Sequence, residues 1–218
     1  IVNVNLRPYY AEGSKTLAFE VAEQLGWRAP DRVIAPVASG AMFTKIWKGF
    51  QEFAELGLIE PHFPKMIGAQ AEGCSPVATA WAEGTREVRA VKPKSIAKSL
   101  AIGSPADGRY VIDVARESNG AVVSVWEESI AEGIELLART EGIFGETAAG
   151  VTIAALQKIA REIDPEETVV AYITGNGLKT IDVIAPRVNV VNVEPVFESL
   201  EEKLRGESIQ IPVLAFSR

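Results

Sequence analysis

Short apolar runs alternate with longer helix-spaced segments along this chain, and that alternation limits its fold more than any other feature. The runs are 32–37 (RVIAPV), 65–71 (KMIGAQA), 121–126 (AVVSVW) and 167–174 (ETVVAYIT), with further strand candidates at 1–6 and 188–193. Between them, 14–25 sets Leu17, Val21 and Leu25 on one helical face and stops at Gly26. Residues 42–56 space Phe43, Ile46, Trp47, Phe50 and Phe53 in the same way, and 127–140 and 147–163 read as a helix pair. Runs this short, apolar on both faces, fit strands covered on two sides. Strands separated by helices predict βαβ units. The expected fold is therefore α/β: a three-layer sandwich in which helices flank a mostly parallel sheet. Residues 60–64 read as a loop and 198–205 (ESLEEKLR) as a solvated amphipathic helix. No 20–50-residue repeat and no low-complexity stretch is present.

Composition narrows the function classes. A chain of 218 residues can bury about 70% of its surface. Its 47% hydrophobic and 23% charged residues are an ordinary globular mix. A net charge of −7 and a pI near 5.0 argue against a nucleic-acid partner. No apolar run approaches the ~18 residues of a membrane span. One Cys forms no internal disulfide, and one Cys with one His does not make a usual zinc set, so no metal is expected. His62, between Pro61 and Pro64, reads as an exposed loop residue, which argues against a serine hydrolase. Cys74 reads as a packing residue, and Trp27, Trp47, Trp81 and Trp126 as core or interface aromatics. The chain opens on Ile1 with no signal peptide before it. A cytoplasmic setting and a longer parent polypeptide are the expectations.

Parallel sheets bind ligands at the carboxyl ends of their strands, so the loops there carry the functional reading. After RVIAPV come Ala38, Ser39, Gly40, Ala41 and Met42, and then a helix. Small residues let backbone N–H groups converge at the positive end of the helix, and Ser39 adds a hydroxyl. Such a loop suits a phosphate ester, although neither GxxxxGK[ST] nor GxGxxG is present. A tight, well-packed strand-to-helix turn is the alternative. After VVAYIT, Gly175 and Gly177 flank Asn176, which suggests close approach to something flat or bulky. Thr174 ends that strand with a hydroxyl that a ligand can meet; a plain turn is again the alternative. Glu146 precedes the small helix start Thr147, Ala148, Ala149 and Gly150, either as a capping carboxylate or as one facing a ligand.

Taken together, these loops resemble a known family. The segments NVNLRPYYAEGSKTLAFEVAEQLGW, PVASGAMFTKIWKGFQE, GAQAEGCSPVA, AIGSPADGRYVIDVARESNG, EGIFGETAAGVTIAAL and ITGNGLKT occur in the order seen in the threonine synthases. These belong to the pyridoxal-phosphate family that also holds threonine dehydratase and the β subunit of tryptophan synthase. The resemblance covers nearly all of the chain to about Lys179 and is looser from Glu194 to Arg218. It implies a tryptophan synthase β-like larger domain spanning residues 1–218, with pyridoxal 5'-phosphate as cofactor.

Carried over by position, Ala38 to Met42 replace a G-N-A-G-N phosphate loop, with Ser39 and backbone N–H groups in place of side-chain amides. Thr174 matches the hydroxyl at the pyridine nitrogen, Glu146 an acidic residue beside the cofactor, and Gly103 and Ser104 a pocket-lining I-G-N-P segment. The main departure is that no S-x-K-D motif is present, and none of the ten lysines has that context. The Schiff-base lysine is expected upstream, so no catalytic residue is assigned within the chain and the chain alone is expected to be inactive. Lys15 and Lys48 read as solvated helix-face residues. The implied reaction converts O-phospho-L-homoserine and water to L-threonine and phosphate. The implied assembly is a homodimer, or a complex with a complement carrying the N-terminal part. The alternatives are threonine dehydratase, cysteate synthase, or a non-catalytic fragment that binds a phosphorylated small molecule.

Overall fold

The computed structural model describes residues 8–188 and 191–206. Four parallel strands form one sheet in the order β3-β2-β1-β4: β1 (Arg32–Pro36), β2 (Lys65–Ala71), β3 (Ala121–Val125) and β4 (Val169–Ala171). Arg32 stands opposite Lys65 on one side and Val169 on the other, and Ile67 stands opposite Ala121. The four apolar runs thus became the four strands. The run at 167–174 contributes only three residues to the strand, and Tyr172 N–H still donates to Ile34 O of β1 at 2.9 Å just beyond it. The strand expected at 1–6 lies outside the described residues. So do Asn189 and Val190, while the rest of 188–193 forms no strand.

Side-chain alternation along β1 sorts the helices into two layers. Val33, Ala35 and Val37 point to one face, where α2 (Thr16–Gln24), α3 (Ala41–Glu55), α4 (Pro76–Ala82) and α5 (Gly108–Glu117) cover them. Ile34 points to the other face, which is covered by α6 (Glu127–Glu141) and α7 (Thr147–Ile159). This is the expected three-layer sandwich. α3 buries Phe43, Ile46, Trp47 and Phe50 along the stripe its spacing predicted. α4 and α5 had not been read as elements, and neither had α1 (Pro8–Gly13). α4 is only two turns long, and its start is fixed from a distance: the buried Gln70 Oε1 accepts from Val77 and Ala78 N–H, both at 3.0 Å.

At the amino end of the sheet the buried Arg32 forks onto Glu167, which Lys65 also meets at 3.1 Å. His62 pairs with Asp31 there at 3.1 Å and is exposed, as its loop suggested. Trp47 is buried, whereas Trp27 and Trp126 are half or more exposed, contrary to a core reading. Trp27 instead stacks on Phe53, which stacks on Phe19. Cys74 is buried, and burial pushes its thiol pKa up, which suits a packing role. A short helix α8 (Ile181–Ile184) follows β4. The chain divides at Ile184 into two units, and the second contains α9 (Phe197–Gly206), the amphipathic helix expected at 198–205.

The closest helix contact is between α6 and α7. A Cβ at Gly150 would lie 2.3 Å from Ile130 O and 2.9 Å from the Ile134 side chain. Backbone has little freedom to retreat there, so Gly150→Ala forces the helices apart. It is expected to cost about 3 kcal/mol, read as a lower urea midpoint with an unchanged m-value. An unchanged midpoint would show that the contact is not tight.

Candidate functional site

The order of the strands decides where a ligand can enter. β1 leads through α3 to β2 on one side, whereas β4 joins β1 on the other side after the chain has crossed beneath the sheet through α6 and α7. The connections therefore diverge at the carboxyl ends of β1 and β4, which leaves a crevice at the topological switch point. A cavity of about 410 Å³ opens there, within the ~300–1,000 Å³ usual for small-molecule sites.

One wall of the cavity is the loop after β1. Ala38, Ser39, Gly40, Ala41 and Met42 all line it. Gly40 caps α3 at φ +101° and ψ −15°, a left-handed backbone that other residues rarely adopt. A Cβ there would also meet Val111 Cγ2 at 2.7 Å. The first intrahelical bond runs from Thr44 N–H to Gly40 O, so the N–H groups before it open α3 toward the cavity. Ser39 Oγ lies 3.5 Å from Ala41 N, which leaves the hydroxyl only weakly engaged. The result is an anion cradle made of backbone and hydroxyl groups, with no cationic side chain in its wall among the described residues.

Thr174 and Glu146 form the opposite wall. Their loops are zipped together. Gly145 and Asn176 form a β-bridge, Glu146 N–H donates to Gly175 O at 3.2 Å, and Gly177 N–H donates to Phe144 O at 2.9 Å. The bulky neighbours expected for the two glycines are protein groups. A Cβ at Gly175, where φ is +72°, would lie 2.2 Å from Glu146 Oε1, and one at Gly177 would lie 2.6 Å from the Phe144 ring. Asn176 Oδ1 accepts from Leu178 N–H in a local turn. The Glu146 side chain is 5% exposed, and its Oε2 stands 2.8 Å from Lys179 Nζ in an ion pair that lacks hydrogen-bond geometry.

The third wall is the irregular crossover between α4 and α5, which supplies Ser99, Leu100 and Ile102. Gly103 and Ser104 do not line the cavity. Gly103 O instead accepts from Val91 N–H at 2.9 Å, and it is the preceding Ile102 that reaches the opening. Glu127, at the start of α6, staples this crossover in place. Its carboxylate accepts from Gly73 N–H at 2.9 Å, Ile96 N–H at 2.9 Å and Ser95 Oγ at 3.1 Å. Reading the sequence missed this wall because nothing in its spacing marks a contact with a helix start some thirty residues away. It also missed Tyr10, Ser14 and Leu17, which close the cavity from α1 and α2.

Among the described residues, no group of three His, Cys, Asp or Glu side chains is placed to hold a metal ion, and no helix is long and apolar enough to cross a membrane. No lysine lines the cavity.

A family model described as pyridoxal-phosphate dependent enzyme matches residues 1–175. The threonine synthase of Methanocaldococcus jannaschii is 41% identical over 181 residues, which is 82% of this chain and 44% of that protein. The threonine synthase of Methanosarcina acetivorans is 37% identical over 209 residues, 92% of this chain and 51% of that protein. The chain thus spans about half the length of the curated relatives it matches. Among solved structures, the processed form of threonine deaminase isoform 2 from Solanum lycopersicum superposes with a TM-score of 0.66 at 19% identity, covering 87% of this chain and 52% of that one. Maize serine racemase superposes at 0.59 and 17% identity, covering 89% and 54%. At such identities the likeness is one of fold.

The position of Tyr10 at the cavity depends on charge. Glu12 in α1 meets Lys15 at 2.8 Å, Lys45 at 2.5 Å and Lys48 at 3.0 Å, and Lys15 also meets Glu52 at 2.8 Å. Lys15, read as a solvated residue, is therefore drawn into an ion cluster and is 17% exposed. Hydrogen bonds from Lys15, Lys45 and Lys48 lower the Glu12 pKa from 4.5 to about 2. Because the folded value lies below the unfolded one, the contribution of Glu12 is complete above about pH 4.5 and is lost as pH falls toward 2. An NMR titration of the Glu12 carboxyl carbon is expected to show a midpoint near 2, rising in high salt; a midpoint near 4.5 in low salt would mean that the cluster does not form.

Proposed function

The chain belongs to the pyridoxal-phosphate dependent enzyme family, and on that footing we propose that it is the cofactor-binding part of a threonine synthase, which converts O-phospho-L-homoserine and water to L-threonine and phosphate. The observation that carries this reading is a single cavity with an anion cradle on one side and a hydroxyl and a carboxylate on the other. The fit to the cofactor rests on the small residues Ala38 to Ala41 at the cavity, which leave the start of α3 open to a phosphate arm. When bound, pyridoxal phosphate supplies an electron sink for charge developing at a substrate carbon.

The roles proposed for the chain's own groups come from the family resemblance, and their lining of one cavity supports them. The N–H groups at the start of α3 and Ser39 Oγ hold the phosphate. Leu17, Met42 and Leu100 give the ring apolar walls and displace water from its faces. Thr174 Oγ1 would meet the pyridine nitrogen. A hydroxyl does not hold that nitrogen protonated as a carboxylate does, so the sink is a mild one. Glu146, kept in place by Gly175 and Lys179, presents a carboxylate beside the ring. The amine that works as base in this chemistry comes from outside the residues lining the cavity, none of which is a lysine.

The proposal includes a cytoplasmic setting and assembly as a homodimer or with a complement that bears the S-x-K-D lysine. Exposed apolar residues on the loops that carry Glu146 and Thr174, Ile143 at 46% and Leu178 at 70%, support a partner there. A second reading is a non-catalytic module that binds a phosphorylated small molecule, and the lysine-free cavity favours it where the chain acts alone.

Adding pyridoxal phosphate to the purified chain is expected to quench tryptophan fluorescence saturably. The cofactor should be lost on dialysis, and borohydride should leave no label on any lysine of the chain. Ser39→Ala should weaken binding about tenfold, as expected for a hydrogen bond to a charged group. Specific labelling of one buried lysine would overturn the external-amine assignment, and absence of saturable binding would overturn the cofactor site. Turnover of phosphohomoserine only after addition of a lysine-bearing complement separates the enzyme from the binding module.

A further inference from the structure

Asp107, together with Val111, abuts the anion cradle from behind. Its N–H donates to Ser39 O at 3.0 Å. A Cβ at Gly40 would lie 3.0 Å from Asp107 Cβ and 3.2 Å from Asp107 C, so the backbones are in contact and the carboxyl is held beside the loop. Asp107 occupies the N-cap of α5, yet its side chain makes no capping hydrogen bond. Its carboxyl is therefore not committed to the helix it precedes.

The surrounding charges leave this acid only partly compensated. From α3, Lys45 draws its pKa down, but Lys45 Nζ is engaged by Glu12 at 2.5 Å. α4 (PVATAWA) carries no charge, and neither does the facing stretch Pro36 to Met42. On α5 itself, Arg109 lies over the Tyr110 ring at 4.6 Å, and Asp113 is taken by Arg86. Burial outweighs Lys45 and pushes the Asp107 pKa up. A dianion in the cradle acts in the same direction, because like charge raises the pKa of a neighbouring acid.

We propose that Asp107 gates the cradle: binding of a dianion at Ala38 to Met42 is coupled to uptake of one proton from solvent by the Asp107 carboxylate. The proton supplies the counter-charge that the cradle's backbone and hydroxyl groups lack. Ligands with a phosphate-type dianion then bind more tightly as pH falls, and the site releases them as pH rises. This rests on the phosphate-cradle reading given above, and the test separates the two.

Sulfate is a suitable probe because it stays a dianion across the working range, so any pH dependence belongs to the protein. Titration calorimetry of the full chain with sulfate is expected to show affinity rising about tenfold between pH 8 and pH 5. Repeating it in buffers of different ionisation enthalpy should reveal proton uptake that peaks at about half a proton per sulfate, the value a tenfold change allows. Asp107→Asn should bind at pH 8 as tightly as the wild type does at pH 5, with no pH dependence and no proton uptake. His62 stands with Asp31 at the amino end of the sheet, so a pH dependence of its making would persist in the variant. Wild-type binding that is flat with pH and takes up no proton would overturn the gating while leaving the cradle intact. Sulfate binding to neither protein at any pH would overturn the cradle and the gating with it.

Discussion

Everything at the site depends on a change of direction in a parallel sheet. β1 lies between β2 and β4, and these two neighbours are reached by connections that run over opposite faces. At the carboxyl end of β1 the chain turns into α3 on one face, while β4 ends beside it and leads away. A cavity lies between them. The starts of α3 and α7 therefore approach one cavity from the two layers, since Ala41 and Ala148 both line it.

These two helix starts are not equivalent. α7 begins at Glu146, whose own carboxylate stands at the positive end of the helix. α3 begins at Gly40, with no acid in its first turn and none before it in the loop. An incoming anion would meet a neutralised end on one side and an open one on the other. The asymmetry comes from two residues, and it needs no cationic side chain in a protein of net charge −7.

Much of this was legible in the sequence, because the signals were local. The runs at 32–37, 65–71 and 121–126 became strands with ends within a residue of those expected, and the stripe Phe43, Ile46, Trp47 and Phe50 is the buried face of α3. Short elements fixed by remote partners were not legible. α4 depends on Gln70, and the crossover wall depends on Glu127; both are hydrogen-bond acceptors reaching across the fold. Glycine signals were read with the right steric meaning at Gly175 and Gly177 but without a named neighbour; the crowding comes from Glu146 and Phe144. Charge patterns misled in the same way at Lys15, because periodicity places a lysine on a face without showing that Glu12 and Glu52 meet it there.

The zipped loops at Gly145 to Glu146 and Gly175 to Gly177 have a bearing on how such a site can change over time. The space above the Glu146 carboxylate is set by the hydrogen atom of Gly175, and the space above Phe144 by that of Gly177. Substitution at either glycine is tolerated only with a smaller partner thirty residues earlier in the chain. The two stretches must therefore vary as a pair, and Thr174, at the edge of the same unit, inherits the restriction. A lineage that replaced this hydroxyl with a bulkier carboxylate would have to rebuild both loops together.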